Sequence, residues 1–235
     1  MRDLRDRKRD RLKAMRLMTS LVLCMVLVAG GTSLHSQTLA DSVKQEFLHA
    51  WNSYKQYAWG HDEVNPLSKT AYDWYGTSLY MTPVDAFDTM LLMGLDGEAA
   101  EAKRLILDSL NFDRDVEVQA FEITIRHLGG LLSAYEWDRD EGFLALAEDL
   151  GRRLLPIYNT PTGLPYRYVN LKTGAIRDSL NNPAEIGTAL LEFGTLSKLT
   201  GNPGGMQRAG RAKNPPIRGR LLPVKLAKRT SAEAA

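Results

Sequence analysis

One short stretch holds the residue types that chemistry would need: Phe121-Glu-Ile-Thr-Ile-Arg-His-Leu-Gly-Gly-Leu-Leu-Ser-Ala-Tyr135. On a helix, Glu122, Arg126, Gly129 or Gly130, and Ser133 share one stripe. That stripe offers a carboxylate, a guanidinium and then almost bare backbone. A carboxyl group beside a cation can hold a hydroxylated ligand or, if kept protonated, deliver a proton. Adjacent helical glycines cost about 1 kcal/mol each relative to alanine, a cost tolerated where a ligand or a neighbouring helix must approach the backbone. The same stripe also reads as an ordinary i,i+4 ion pair worth about 0.3–0.5 kcal/mol beside a close helix crossing. Spacing alone leaves both open.

Three other sets of carboxylates matter. Asp85 and Asp88 lie three apart, and Thr82-Pro-Val-Asp85 reads as a helix start with Thr82 as cap, Pro83 in the first turn and Asp85 closing a capping box. Asp88 is then a first-turn charge favoured by the helix dipole, or one of a pair that binds a hydroxylated ligand. Asn182-Pro-Ala-Glu185 repeats the device, so Glu185 has a structural role whether or not it meets a ligand. His61-Asp-Glu63 is poor spacing for a metal site and reads as a solvated loop.

The elements that must position these groups are helical. Val43, Phe47, Trp51, Tyr54 and Ala58 predict a helix over residues 41–59. Further helices are predicted from Thr82 to Gly94, over 98–110, through the stretch quoted above, over 143–155, and from Asn182 to Gly201. In the long central helix, Val118, Phe121, Ile125, Leu128, Leu132 and Tyr135 are expected to form the buried face. Alternation over 166–171 followed by Lys172-Thr-Gly174 predicts one short β-hairpin. Short connections make consecutive helices antiparallel neighbours, which a bundle, a solenoid and an α/α barrel all satisfy.

The formal net charge of +2 averages three unlike parts. Eight basic residues fall in the first sixteen and eight more after Asn202, whereas acids outnumber bases by about ten in between. An acidic body argues against nucleic acid as partner. The sole cysteine, Cys24, lies in the apolar run 17–29, so the body has no disulfide, thiolate metal site or thiol nucleophile. A basic start, a short apolar run and small residues up to Gln37 predict a signal peptide and export to a periplasmic, extracellular or lumenal space. An uncleaved anchor over residues 17–36 is the alternative. The expected organisation is a leader over 1–37, a helical body over 38–202 and a basic low-complexity tail over 203–235. The tail is expected to be disordered or the product of a frame disruption.

The motif Phe-Glu-x-Thr-Ile-Arg-x-Leu-Gly-Gly-Leu-Leu-Ser-Ala-Tyr resembles a signature of the class I α-mannosidases, glycoside hydrolase family 47. Ala58-Trp-Gly-His-Asp-Glu-Val-Asn-Pro66, Thr82-Pro-Val-Asp-Ala-Phe-Asp-Thr89 and Asn182-Pro-Ala-Glu185 are similar to further family segments in the same order. The resemblance covers residues 47–201, well short of the family's catalytic domain. It implies the N-terminal part of an all-α (α/α)7 barrel. It also implies inverting, calcium-dependent hydrolysis of α-1,2-linked mannose in a mannose-containing oligosaccharide. By resemblance Glu122 is the general acid, Glu185 lines the sugar site, and Asp85, Asp88 and Arg126 are its neighbours. No metal ligand can be assigned: the resemblance puts the catalytic base and the calcium-binding threonine beyond Asn202. Burial would favour the protonated acid that such hydrolysis requires, and Arg126 the carboxylate. The expectation is a chain inactive by itself, with a non-enzymatic helical carbohydrate-binding or scaffold module as the alternative. No structured protein partner is implied.

Overall fold

The structure, a computed structural model, describes residues 38–213, so the expected leader, Cys24 and most of the basic tail lie outside the described residues. Two compact units divide at residues 47 and 48. Among the described residues the first holds the opening of helix α1 (Leu39–Ala58), where the Thr38 hydroxyl donates to the Asp41 carboxylate at 2.7 Å. Val43 there is exposed, contrary to the expected apolar stripe, while Trp51, Tyr54 and Ala58 in the second unit are buried. No helix among the described residues is long and apolar enough to cross a membrane.

The second unit is built of helical hairpins. Helix α2 (Met81–Leu92) turns at Gly94, whose φ of +64° suits a residue without a side chain, into α3 (Asp96–Ser109). A long central helix follows in three parts: α4 (Ala120–Ile123), a π-helical turn (Thr124–Leu128) and α5 (Gly129–Asp138). Asp140 caps α6 (Glu141–Leu154) by accepting the Gly142 N–H at 2.9 Å. Asn182 caps α7 (Pro183–Thr188) as expected, accepting the Glu185 N–H at 3.0 Å. The single helix predicted from there to Gly201 breaks at Ala189 before α8 (Leu190–Thr200). Thr188 donates its hydroxyl to the Ala184 carbonyl, a back-bond that bends helices.

Several sequence expectations need correction. The predicted hairpin exists as β4 (Tyr168–Asn170) and β5 (Ile176–Arg177). It carries a third strand, β3 (Glu117–Gln119), and a second hairpin is formed by β1 (Glu63–Asn65) and β2 (Thr70–Tyr72). Val118 is therefore a strand residue. Beyond it the buried side of the central helix is Ala120, Ile123, Thr124, His127, Leu128, Leu131, Leu132 and Ala134, with Phe121, Ile125 and Tyr135 only half-buried. The π turn inserts an extra residue into the repeat, so a 3.6-residue count loses its face there. The helical body also runs past Asn202: α9 (Gly204–Lys213) begins where Asn202 accepts the Gly204 N–H at 3.1 Å, and it buries Ala209.

The core joins the hairpins. Phe87 of α2 meets Phe143 of α6 at 5.0 Å between ring centroids, both fully buried. The crossing of α2 with α5 depends on one glycine. A Cβ on Gly130 would lie 2.8 Å from Val84 Cγ1 and 3.1 Å from the Val84 carbonyl oxygen. On Gly129 it would meet Glu192 Cγ at 3.6 Å, an ordinary contact. Alanine gains about 1 kcal/mol of helix propensity at either position, but at Gly130 overpacking of about 1–3 kcal/mol opposes it. Gly129→Ala should therefore be more stable than Gly130→Ala by at least about 1 kcal/mol. Urea unfolding of the two variants checks this, and equal midpoints would contradict the tight crossing.

Candidate functional site

The site is assembled where α2, the central helix and the segment after β2 meet. Glu122 falls in the last turn before the ladder widens, and Arg126 lies inside the π turn. Thr124 donates its hydroxyl to the Ala120 carbonyl at 2.6 Å where the repeat changes. Arg126 then has three partners. Its Nε donates to Glu122 Oε2 at 2.9 Å and its Nη1 to Asp85 Oδ2 at 3.0 Å, while its guanidinium carbon lies 5.2 Å from the centre of the Trp74 ring. Partial burial disfavours the cation, but the two carboxylates outweigh it and hold Arg126 above its ordinary value.

Asp85 is thus an ion-pair partner and not a capping acid. The helix starts at Met81 behind Tyr80 in a left-handed conformation, with no side-chain cap. Thr82, expected as the cap, donates its hydroxyl to the Asp62 carbonyl at 2.6 Å. Asp88, one turn along, accepts the Ser133 hydroxyl at 2.7 Å, so the small-residue stripe of the central helix does face the two aspartates. Glu185 stands apart. Its Oε1 accepts from the Asn182 side chain at 2.7 Å and its Oε2 lies 3.5 Å from Arg167 Nε. It lines a small cavity with Phe121 and Ile125, and no hydrogen bond or ion pair among the described residues joins it to the Arg126 network.

Glu122 is about one-quarter exposed, and Asp85 and Arg126 about one-third. All three are reachable from solvent while held in place. Nearby, burial pushes the Tyr75 phenol up to about 12, and the Glu122 charge adds to that rise. The arrangement can accept hydrogen bonds from hydroxyl groups through Asp85, Asp88 and Glu122, and it can donate through Arg126. Calcium, implied by the resemblance, is not fitted by these residues. No group of three His, Cys, Asp or Glu side chains able to hold a metal occurs among the described residues, and Asp85 and Glu122 are both bound to a cation already.

Sequence reasoning missed three buried polar groups. Asp62, expected in a solvated loop, is fully buried and bonded to backbone N–H groups. Its partners lie 12–19 residues away, so no local spacing announces them. Glu192, next to Gly129, is nearly buried, and burial pushes its carboxyl up. His127 is fully buried, with Nε2 2.8 Å from the Leu79 carbonyl, so it is neutral and donates from Nε2.

A profile of glycosyl hydrolase family 47 matches residues 46–215. The chain is 45% identical over 176 residues to the human endoplasmic reticulum mannosyl-oligosaccharide 1,2-alpha-mannosidase, covering 73% of this chain and 25% of that protein. It is 43% identical over 199 residues to a mannosyl-oligosaccharide 1,2-alpha-mannosidase of Arabidopsis thaliana, covering 78% and 34%. Among solved structures, the alpha-1,2-mannosidase from Trichoderma reesei superposes with a TM-score of 0.69 at 32% identity, over 74% of this chain and 39% of that one. The helical hairpins thus match the scaffold of a solved α-1,2-mannosidase. The chain is a member of glycosyl hydrolase family 47, spanning about a quarter of the length of its human relative.

Burial depresses His127 to about 4 from an ordinary 6.5. The unfolded chain therefore takes up this proton first as pH falls. Stability is intact above 6.5 and declines towards pH 4, by on the order of 3 kcal/mol from this group. His127→Gln should lose that part of the pH dependence between 6.5 and 4. Unfolding curves across this range check it, and unchanged slopes would contradict it.

Proposed function

We propose that this chain carries the acid side of an inverting α-1,2-mannosidase site acting on mannose-containing oligosaccharides. The observation that carries the reading is the Glu122–Arg126–Asp85 bridge, open to solvent, within a segment that matches the family. Glu122 would hold the proton for the glycosidic oxygen. Arg126 would fix its orientation through the Nε–Oε2 bond while its Nη1 is held by Asp85. Asp85, Asp88 and Glu185 would accept hydrogen bonds from sugar hydroxyls.

Inversion also needs a carboxylate about 6.5–9.5 Å from the acid, across the bond, to activate water. Asp85 shares the acid's own guanidinium, so it would stand on the acid's side of the bond, and the base would be the carboxylate that the resemblance puts beyond Asn202. By itself the 235-residue chain would bind the glycan and not turn it over. No step is assigned to calcium, since the described residues do not form its site. A secretory, lumenal location is part of the proposal. It rests on the apolar run near the N-terminus and on relatives named for the endoplasmic reticulum.

The test is titration of the full chain with α-1,2-mannobiose, followed by amide NMR and by assay of free mannose. Shifts should concentrate at Asp85, Glu122 and Arg126, and Arg126→Ala should weaken binding about tenfold or more. Mannose should not be released. Shifts confined to another surface, or binding unaltered in Arg126→Ala, would overturn the site, and measurable mannose release would overturn the division of the carboxylate pair.

A further inference from the structure

Asp62 takes no part in the site described above, yet both groups that flank Arg126 from outside its own helix lead back to it. Its carboxylate is fully buried and each oxygen has a distinct task. Oδ1 accepts the N–H groups of Leu79 at 2.7 Å and Met81 at 3.2 Å, doing for the start of α2 what a cap would do. Oδ2 accepts the N–H of Trp74 at 3.1 Å. The main chain of Asp62 closes the same knot: its N–H donates to Asp73 Oδ1 at 3.0 Å, and its carbonyl accepts the Thr82 N–H at 3.0 Å. The αL conformation of Tyr80, between the two N–H groups held by Oδ1, is maintained by this wrapping.

The consequences run directly to the guanidinium. Asp85 stands one turn into the helix whose start Oδ1 fixes, and it holds Arg126 Nη1. Trp74, pinned through its own backbone by Oδ2, lays its ring beside the same guanidinium. We infer that Asp62 is the positioning residue of the site, setting through its two oxygens the two groups that aim Arg126 at Glu122. This rests on the proposed role of Glu122 and Arg126. Asp62 itself meets no substrate.

The two oxygens make the inference separable from a general loss of stability. An asparagine side chain at this position would keep one acceptor but replace the other with a donor. Asp62→Asn therefore cannot serve both Trp74 and the start of α2. The test follows the Arg126 Nε–H resonance of the full chain, assigned by its loss in Arg126→Lys, in wild type, Asp62→Asn and Leu150→Ala. Leu150 is fully buried in α6, so its truncation supplies a destabilised reference. In the wild type the resonance should be sharp and displaced by the Trp74 ring. Asp62→Asn should remove the displacement and weaken α-1,2-mannobiose about tenfold, with helical circular dichroism retained, whereas Leu150→Ala should keep both. An unchanged resonance in folded Asp62→Asn would overturn the inference.

Should Asp62→Asn not fold, hydrogen exchange in the wild type decides. The Trp74, Leu79 and Met81 amides should be protected together, and an unprotected Trp74 amide would overturn it. Failure of the wild type to bind mannobiose would instead overturn the proposed function, while the resonance and exchange data still decide the placement of Arg126.

Discussion

The site depends on one cation that no single element can satisfy. Arg126 is drawn partly out of water, which alone would disfavour its charge, and two carboxylates and an aromatic ring compensate. Glu122 comes from the same helix, Asp85 from α2 and Trp74 from the segment between β2 and α2. The guanidinium therefore reports whether three parts of the chain have docked. Each contact is partly exposed and modest in energy. Their value lies in geometry, because a planar fork fixes the direction of whatever it holds.

Packing around that cation explains features with no chemical role. Gly130 lets α2 approach until Val84 touches the helix backbone, the distance at which Asp85 can reach across. The π turn places Arg126 in a widened stretch of helix, and irregularity of this kind recurs at functional sites. His127, on the buried side of the same turn, bonds to the Leu79 carbonyl, while Asp62 takes the Leu79 N–H. Both polar groups of one residue at the foot of α2 are thereby fixed by buried side chains.

The sequence showed what depends on short separations. Helix periods, turn glycines, the Asn182 cap and the Glu122–Arg126 pair all follow from spacings of three or four residues. Contacts between distant residues were not legible: Asp85 finds Arg126 41 residues away, and that partner, not a capping box, explains the acid. The buried face of the central helix was misread because a π turn leaves no compositional mark. Asp62 was misread because burial of a carboxylate depends on N–H groups that only the folded chain gathers. Resemblance reached further than periodicity, since it joined separated segments in their order. The α9 helix shows where reading by composition fails, for a basic, glycine-containing stretch is helical where Asn202 accepts the Gly204 N–H and Ala209 is buried.

The central claim is that Glu122, aimed by Arg126, faces the bond to be cleaved. A crystal structure of the chain with α-1,2-mannobiose bound addresses it most directly. The account predicts the glycosidic oxygen within about 3 Å of a Glu122 oxygen, with sugar hydroxyls on Asp85 or Arg126. A disaccharide seated on another face, or Glu122 turned to solvent with the sugar held by other residues, would contradict it.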